Sequence, residues 1–177
     1  MEGWSDIWLN EGFATYTEWL WSEQEDLGTA QEIFDGTYDG IPPEDPFWSL
    51  VIGDPGPESM FDFAVYARGA MTPHQLRLAV GDADSFEILQ TWTTSNAGGN
   101  VTTADFIALA EEISGRQLDE LFQTWLFTDT KPVLQQASPQ AQAAAGGGLE
   151  DVLREPPPAV GGPSAVRADL APPGRGS

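Results

Sequence analysis

Residues 4–21, WSDIWLNEGFATYTEWLW, constrain the fold of this chain more than any other stretch. Apolar side chains recur there at every third or fourth position, which is typical of an amphipathic helix packed on a core: Leu9, Phe13, Tyr16 and Leu20. Glu11 and Glu18 are seven residues apart, so they lie on one side of that helix, about 10 Å apart along its axis. The pattern predicts a helix from residue 5 or 6 to residue 26, ended by Gly28.

The string WLNEGFATY, residues 8–16, resembles the aminopeptidase N family of zinc metallopeptidases, which are gluzins. In that family two histidines of an HExxH helix bind zinc, and the glutamate of an Asn-Glu-Gly-Phe-Ala helix is the third ligand. The resemblance implies that Glu11 is a metal ligand and that the complete enzyme holds one zinc ion. Catalytic zinc takes three protein ligands and keeps a fourth position open, so a set of two histidines and one glutamate suits this chemistry.

The sequence has no HExxH motif, and its single histidine, His74, lies downstream of Glu11. The resemblance therefore implies the C-terminal half of a catalytic domain. Its partner would be the missing N-terminal half, which carries the zinc-binding histidines and the general base. Glu18 is a candidate for orienting one of those histidines. His74 has no neighbouring histidine or cysteine, so it is predicted to be structural or solvent-exposed.

A second informative stretch, residues 59–80, contains the string YARGA at residues 66–70. It resembles the Tyr-x-Lys-Gly-Ala segment of the same family, with arginine in place of the commoner lysine. The resemblance implies that Tyr66 is catalytic, because a neutral phenol can donate a hydrogen bond to the oxyanion that develops when water attacks a peptide carbonyl. Taken alone, one tyrosine on an amphipathic helix is more often a core residue. Pro73 predicts a kink or break at residues 70–72.

The remaining segments also carry helix signals. Thr29 and Glu32 form a predicted capping box that begins a short helix to about residue 35, whereas the prolines of residues 36–58 exclude a long regular element. Further helices are predicted at residues 84–95, 104–114 and 117–127.

These elements define the fold class as mainly α, a helical array over residues 1–133. The family resemblance implies that this array is the second half of a thermolysin-like zinc metallopeptidase catalytic domain. Residues 134–177 are rich in alanine, glycine and proline and contain no aromatic residue. Such a segment buries too little apolar surface to offset its ordering entropy, so it is predicted to be a disordered tail.

The charge of the chain is strongly negative. Its 7 basic and 28 acidic residues give a formal net charge of −21. This surface repels nucleic acid and anionic lipid. Either it only keeps the chain soluble and has no partner, or it also raises the local concentration of cations, including the α-amino groups of peptides. The sequence has no cysteine, which excludes disulfides and thiolate metal sites. No apolar run approaches the ~18 residues of a membrane span.

The predicted function is therefore that of a fragment of a zinc-dependent metallopeptidase, an aminopeptidase that hydrolyses N-terminal residues from peptides. The chain by itself is expected to be inactive, because its active site is incomplete. The alternative is a non-catalytic, acidic helical module that binds basic peptides or a partner protein. An HExxH segment upstream of Glu11 would favour the enzyme.

Overall fold

The computed structural model describes residues 4–134, so the predicted tail lies outside the described residues except for Leu134. No strand occurs in this range, which confirms the mainly α fold class. None of the helices found there combines the length and apolar character needed to cross a membrane. The helices are α1 (Trp8–Gln24), α2 (Ala30–Gly40), α3 (Gly56–Ser59), α4 (Phe63–Val80), α5 (Asp82–Ser95), α6 (Thr103–Ser114) and α7 (Asp119–Leu126), with 3-10 turns at Trp4–Asp6 and Pro46–Ser49.

Helix α4 is the centre of the fold. It packs against α1, α2, α5, α7 and the Pro46–Ser49 turn, and every residue from 67 to 76 is buried. The predicted break near Pro73 is wrong, because α4 runs without interruption from Phe63 to Val80. A proline removes one backbone donor and crowds the preceding turn, and the packing of α4 on four other helices outweighs that cost.

Helices α1 and α4 lie side by side and run in the same direction. Gly12 contacts Gly69 in the first half of each helix. Glu23 and Arg77 form an ion pair in the last third of each helix, with 2.9 Å between Oε1 and Nη2. The N-terminal ends of both helices therefore lie at the same end of the molecule.

Two apolar clusters pack against this helix pair. The first, shared with α5, α6 and α7, includes Trp8, Ile88, Trp92, Phe106, Phe122 and Leu126. The second, shared with α2 and the Pro46–Ser49 turn, includes Tyr16, Trp19, Phe34, Trp48, Met71 and Trp125. Large aromatic side chains dominate both clusters and bury much apolar area per residue, which suits a chain with short helices.

The beginning of α1 is fixed to the beginning of α6 by a buried polar contact. The Asp6 carboxylate accepts hydrogen bonds from the backbone nitrogen and the hydroxyl of Thr103, each at 2.8 Å. Trp8 donates its indole N–H to the same hydroxyl at 2.8 Å. The first turn of α1, which includes Glu11, is thereby held in one position.

The sequence signals locate most helix boundaries to within three residues, and the end of α2 is the largest miss. The capping box of Thr29 and Glu32 is confirmed, but α2 continues to Gly40 because the glycine at position 36 is accommodated inside the helix. Helix α1 begins later and ends earlier than predicted, at Gln24, after which Asp26 adopts a left-handed conformation with φ 55°. A short polar residue tolerates that conformation better than most.

Candidate active site

Glu11 lies on α1, in the turn that follows the Asp6–Thr103 contact, and its side chain is half-buried. The Thr15 hydroxyl donates to the backbone carbonyl of Glu11 at 2.9 Å, so this hydroxyl leaves the Glu11 carboxylate free. Glu18 lies two turns further along α1 and is exposed. The carboxylate that the sequence singled out as a metal ligand is therefore the more enclosed of the two.

The next residue, Gly12, brings α1 into backbone contact with α4. A Cβ atom added to Gly12 would lie 2.5 Å from the carbonyl carbon of Gly69, and one added to Gly69 would lie 2.9 Å from the Cα atom of Gly12. Neither helix can therefore carry a larger residue at the contact without moving. Apolar spacing did not predict this role, although a glycine inside each predicted helix is a usable signal for close backbone approach.

Tyr66 lies on α4, three residues before Gly69, and faces the Glu11 side of α1. It is half-buried against the first apolar cluster. Partial burial raises the pKa of Tyr66, and the nearby Glu11 carboxylate raises it further through its charge and through hydrogen bonding with the phenol. The structure thus brings together the two residues that the sequence had assigned from separate motifs.

This pair has a definite chemical capacity. A phenol with a raised pKa stays protonated at neutral pH and acts as a hydrogen-bond donor. A carboxylate is one of the donors that suit zinc. Among residues 4–134, however, no three histidine, cysteine, aspartate or glutamate side chains are grouped so that they could hold a metal ion. Glu11 therefore fits one position of a zinc site, and the described residues do not complete that site.

His74 takes no part in this arrangement. It is buried between α1, α2 and α4, where its Nε2 lies 3.1 Å from Oε1 of Gln31 and its ring packs against Tyr16, Trp19 and Phe34. Burial, together with the charge of Arg77, lowers the pKa of His74 to about 4. A neutral, enclosed imidazole is a structural residue here, as predicted.

Comparison with known proteins supports the family resemblance of the motifs around Glu11 and Tyr66. The family model described as the peptidase family M1 domain matches residues 1–125. Aminopeptidase N of Streptomyces lividans is 30% identical over 172 residues, which cover 90% of this chain and 20% of that protein.

Solved structures show the same similarity in three dimensions. A two-domain M1 zinc metallopeptidase variant bound to L-arginine is 31% identical, with a TM-score of 0.66 over 76% of this chain and 30% of that one. An M1 zinc metallopeptidase variant from Deinococcus radiodurans, bound to a Tyr-Ser-Ala substrate, is 30% identical, with a TM-score of 0.62 over 77% of this chain and 30% of that one.

The chain spans less than a third of the length of each of these proteins. The match nevertheless includes both helices of the candidate site, from Glu11 on α1 to Tyr66 on α4. By sequence and by fold, this chain belongs to peptidase family M1, the aminopeptidase N family of zinc metallopeptidases.

Proposed function

We propose that this chain provides the Glu11 and Tyr66 side of the active site of a zinc-dependent aminopeptidase, which removes N-terminal residues from peptides. The observation that carries the proposal is the proximity of these two side chains at the Gly12–Gly69 contact. Structural residues need not bring an enclosed carboxylate and a protonated phenol together at the open side of a helix pair. The family membership supplies the reaction class.

Each residue then has a separate role. Glu11 would be one of three protein ligands of zinc, with two histidines supplied by polypeptide outside the described residues. The bound zinc would polarise the substrate carbonyl and activate water. Tyr66 keeps its proton at neutral pH and donates a hydrogen bond to the carbonyl oxygen as negative charge develops there. Its raised pKa keeps the phenol in the donating form.

The electrostatics of the described residues favour a substrate with a positive end. Of the four cationic side chains in residues 4–134, three are engaged in the interior: Arg68, Arg77 and Lys131. Only Arg116 is exposed within that range, whereas most of the acids lie at the surface. The resulting negative field would raise the local concentration of peptides that carry a free α-ammonium group.

The test is to express this chain alone and together with an N-terminal segment of a family member that carries an HExxH motif. Alone, the chain should neither bind zinc stoichiometrically nor hydrolyse L-leucine p-nitroanilide, because one carboxylate is a poor zinc site. The assembled pair should bind one zinc ion and hydrolyse the substrate. A Glu11→Gln change should lower the zinc affinity of the pair and, at low zinc, its activity.

If the chain is instead an acidic peptide-binding module, Glu11 is not a zinc ligand. A module would bind Lys- and Arg-rich peptides without zinc, and it would lose that affinity steadily with added salt. Two results together would favour the module and overturn the enzyme. The pair would assemble without taking up zinc, and basic peptides would bind without zinc and equally well in the Glu11→Gln variant.

A further inference from the structure

An aromatic pair, one ring exposed and the other half-buried, lies beside Tyr66. Phe63 is the first residue of α4, one turn before Tyr66, and 65% of its surface is exposed. Residues three apart on a helix are neighbours on its surface. The ring of Phe47, from the Pro46–Ser49 turn, lies 5.7 Å from the ring of Phe63 and 4.7 Å from that of Trp48. The pair therefore continues the surface of the candidate site in the N-terminal direction of α4.

The Pro46–Ser49 turn is held by a buried cation. The Arg68 guanidinium, two residues after Tyr66, is fully buried and donates to the carbonyls of Trp48 and Leu50, each at 3.2 Å. On its other side it donates to the carbonyls of Thr124 and Thr128, at 3.1 and 2.9 Å, and to the Thr128 hydroxyl at 2.9 Å. These hydrogen bonds join α4, the turn and the end of α7.

The partners of Arg68 are unusual for a buried arginine. All of its hydrogen bonds go to backbone carbonyls and one hydroxyl, and none goes to a carboxylate. Burial lowers the pKa of Arg68 to about 10, so the group stays charged at neutral pH. A buried cation is costly unless its hydrogen bonds are satisfied. Its position therefore depends on the turn keeping the conformation in which the Trp48 and Leu50 carbonyls converge.

A second contact fixes the same segment from behind. Gly53 donates its backbone N–H to the carbonyl of Leu126 at 2.8 Å. A Cβ atom added to Gly53 would meet the Phe127 ring, so the segment lies directly on the end of α7. The proline-rich stretch after α2 is therefore held in one position against α4 and the end of α7.

We propose that Phe47 and Phe63 form a preformed apolar wall of the peptide-binding cleft beside Tyr66, and that Arg68 is the positioning residue that holds this wall in place. The inference rests on the proposed function, because Tyr66 marks where the reacting carbonyl lies. The wall is adjacent to that point, so it contacts the side chain of a residue next to the scissile bond. Aromatic rings attract apolar and aromatic side chains, which makes the preferred substrate class peptides with an apolar residue there.

The wall is tested by ligand binding to the chain itself. Nuclear magnetic resonance should show that L-phenylalanine amide shifts the ring signals of Phe47 and Phe63, whereas glycinamide does not. Phe63→Ala should weaken this binding by about tenfold. The matched control is Trp21→Ala, which removes another exposed aromatic side chain at the far end of α1 and should leave the affinity unchanged. Absence of the ring shifts, or equal affinity in Phe63→Ala, overturns the wall.

The positioning role of Arg68 is tested by hydrogen exchange of the amides at residues 47–53. Arg68→Met should raise their exchange far more than that of α5 and α6, and it should weaken the binding of L-phenylalanine amide. Arg68→Lys should restore both properties in part, because lysine keeps the charge but has three donors in place of a five-donor fork. A uniform rise in exchange over the whole chain would show a purely structural role and overturn the proposal.

Failure of the wall and failure of the proposed function give different results. The wall is measured without zinc and without turnover, so it does not depend on Glu11 being a ligand. Phe63→Ala should leave zinc uptake by the assembled pair intact. Binding of L-phenylalanine amide at Phe63 with no Glu11-dependent zinc uptake would keep the wall as a peptide-binding surface and reject the peptidase.

Discussion

Gly12 and Gly69 touch through their backbones, and a Cβ atom on Gly12 would lie 2.5 Å from the Gly69 carbonyl carbon. This contact sets the spacing between α1 and α4. Glu11 directly precedes one glycine, and Tyr66 precedes the other by three residues, so the same contact sets the distance between the carboxylate and the phenol. The geometry of the candidate site therefore depends on two residues with no side chain.

Gly12→Ala should lower the free energy of unfolding by about 1–3 kcal/mol, because overpacking at a fixed backbone contact exceeds the gain in helix propensity. The matched control is Gly36→Ala on α2, where an added Cβ atom meets nothing within 4 Å. That change should stabilise the protein by about 0.5–1 kcal/mol. Urea unfolding measures both changes, and a Gly12→Ala protein as stable as the original would contradict the contact.

Glu11→Gln in the assembled pair should lower zinc affinity, because a neutral amide oxygen replaces a charged one. The activity lost at low zinc should return in part when zinc is in excess. Glu25→Gln, an exposed carboxylate just past the end of α1, should leave zinc affinity unchanged. Metal analysis and zinc titration of turnover decide the matter, and equal zinc content in the two variants would reject Glu11 as a ligand.

Tyr66→Phe should reduce kcat of the assembled pair by about 10²–10³ with little change in KM, because the phenol donates mainly in the transition state. Tyr38→Phe is the comparison. The Tyr38 hydroxyl, near the C-terminal end of α2, donates a hydrogen bond to the Pro132 carbonyl. Its removal should cost about 1 kcal/mol of stability and leave turnover unchanged. A Tyr66→Phe protein with normal turnover per zinc ion would end the catalytic assignment.

His74 should make the protein sensitive to acid. Burial, followed by the charge of Arg77, lowers its pKa in the folded state to about 4, whereas the unfolded value is about 6.5. The unfolded chain therefore binds more protons between these values, so stability is full above pH ~6.5 and falls as the pH drops towards ~4, by roughly 3 kcal/mol. His74→Gln keeps a donor towards Gln31 and should flatten this part of the stability profile. An identical profile in the variant would show that other groups are responsible.

The ion pair between Glu23 and Arg77 also contributes stability that is lost in acid. Burial alone would raise the pKa of Glu23, but hydrogen bonds from Arg77 and from the backbone of Ala30 outweigh it and hold the pKa below its ordinary value. Stability from this carboxylate is present above its unfolded pKa and is lost at more acid pH. The loss in the His74→Gln variant should therefore begin at a lower pH than in the original protein.

The sequence by itself determined the helices, the family and the two candidate residues. Apolar spacing located α1, and the Thr29 capping box located the start of α2, because both signals act within a few residues of the chain. The strings around Glu11 and Tyr66 indicated a zinc peptidase through their resemblance to the aminopeptidase N family. The end of α2 was predicted too early, because glycine disfavours a helix only by about 1 kcal/mol and packing can offset it.

Only the tertiary structure decided which of these residues meet. Local spacing distinguishes poorly between Trp8, which is fully buried, and Trp4, which is 54% exposed. It carries no information that Arg68 would bind carbonyls 18 to 60 residues away along the chain. Glu11 and Tyr66 come together because two glycines let α1 and α4 approach at one point, and such contacts depend on how whole helices pack.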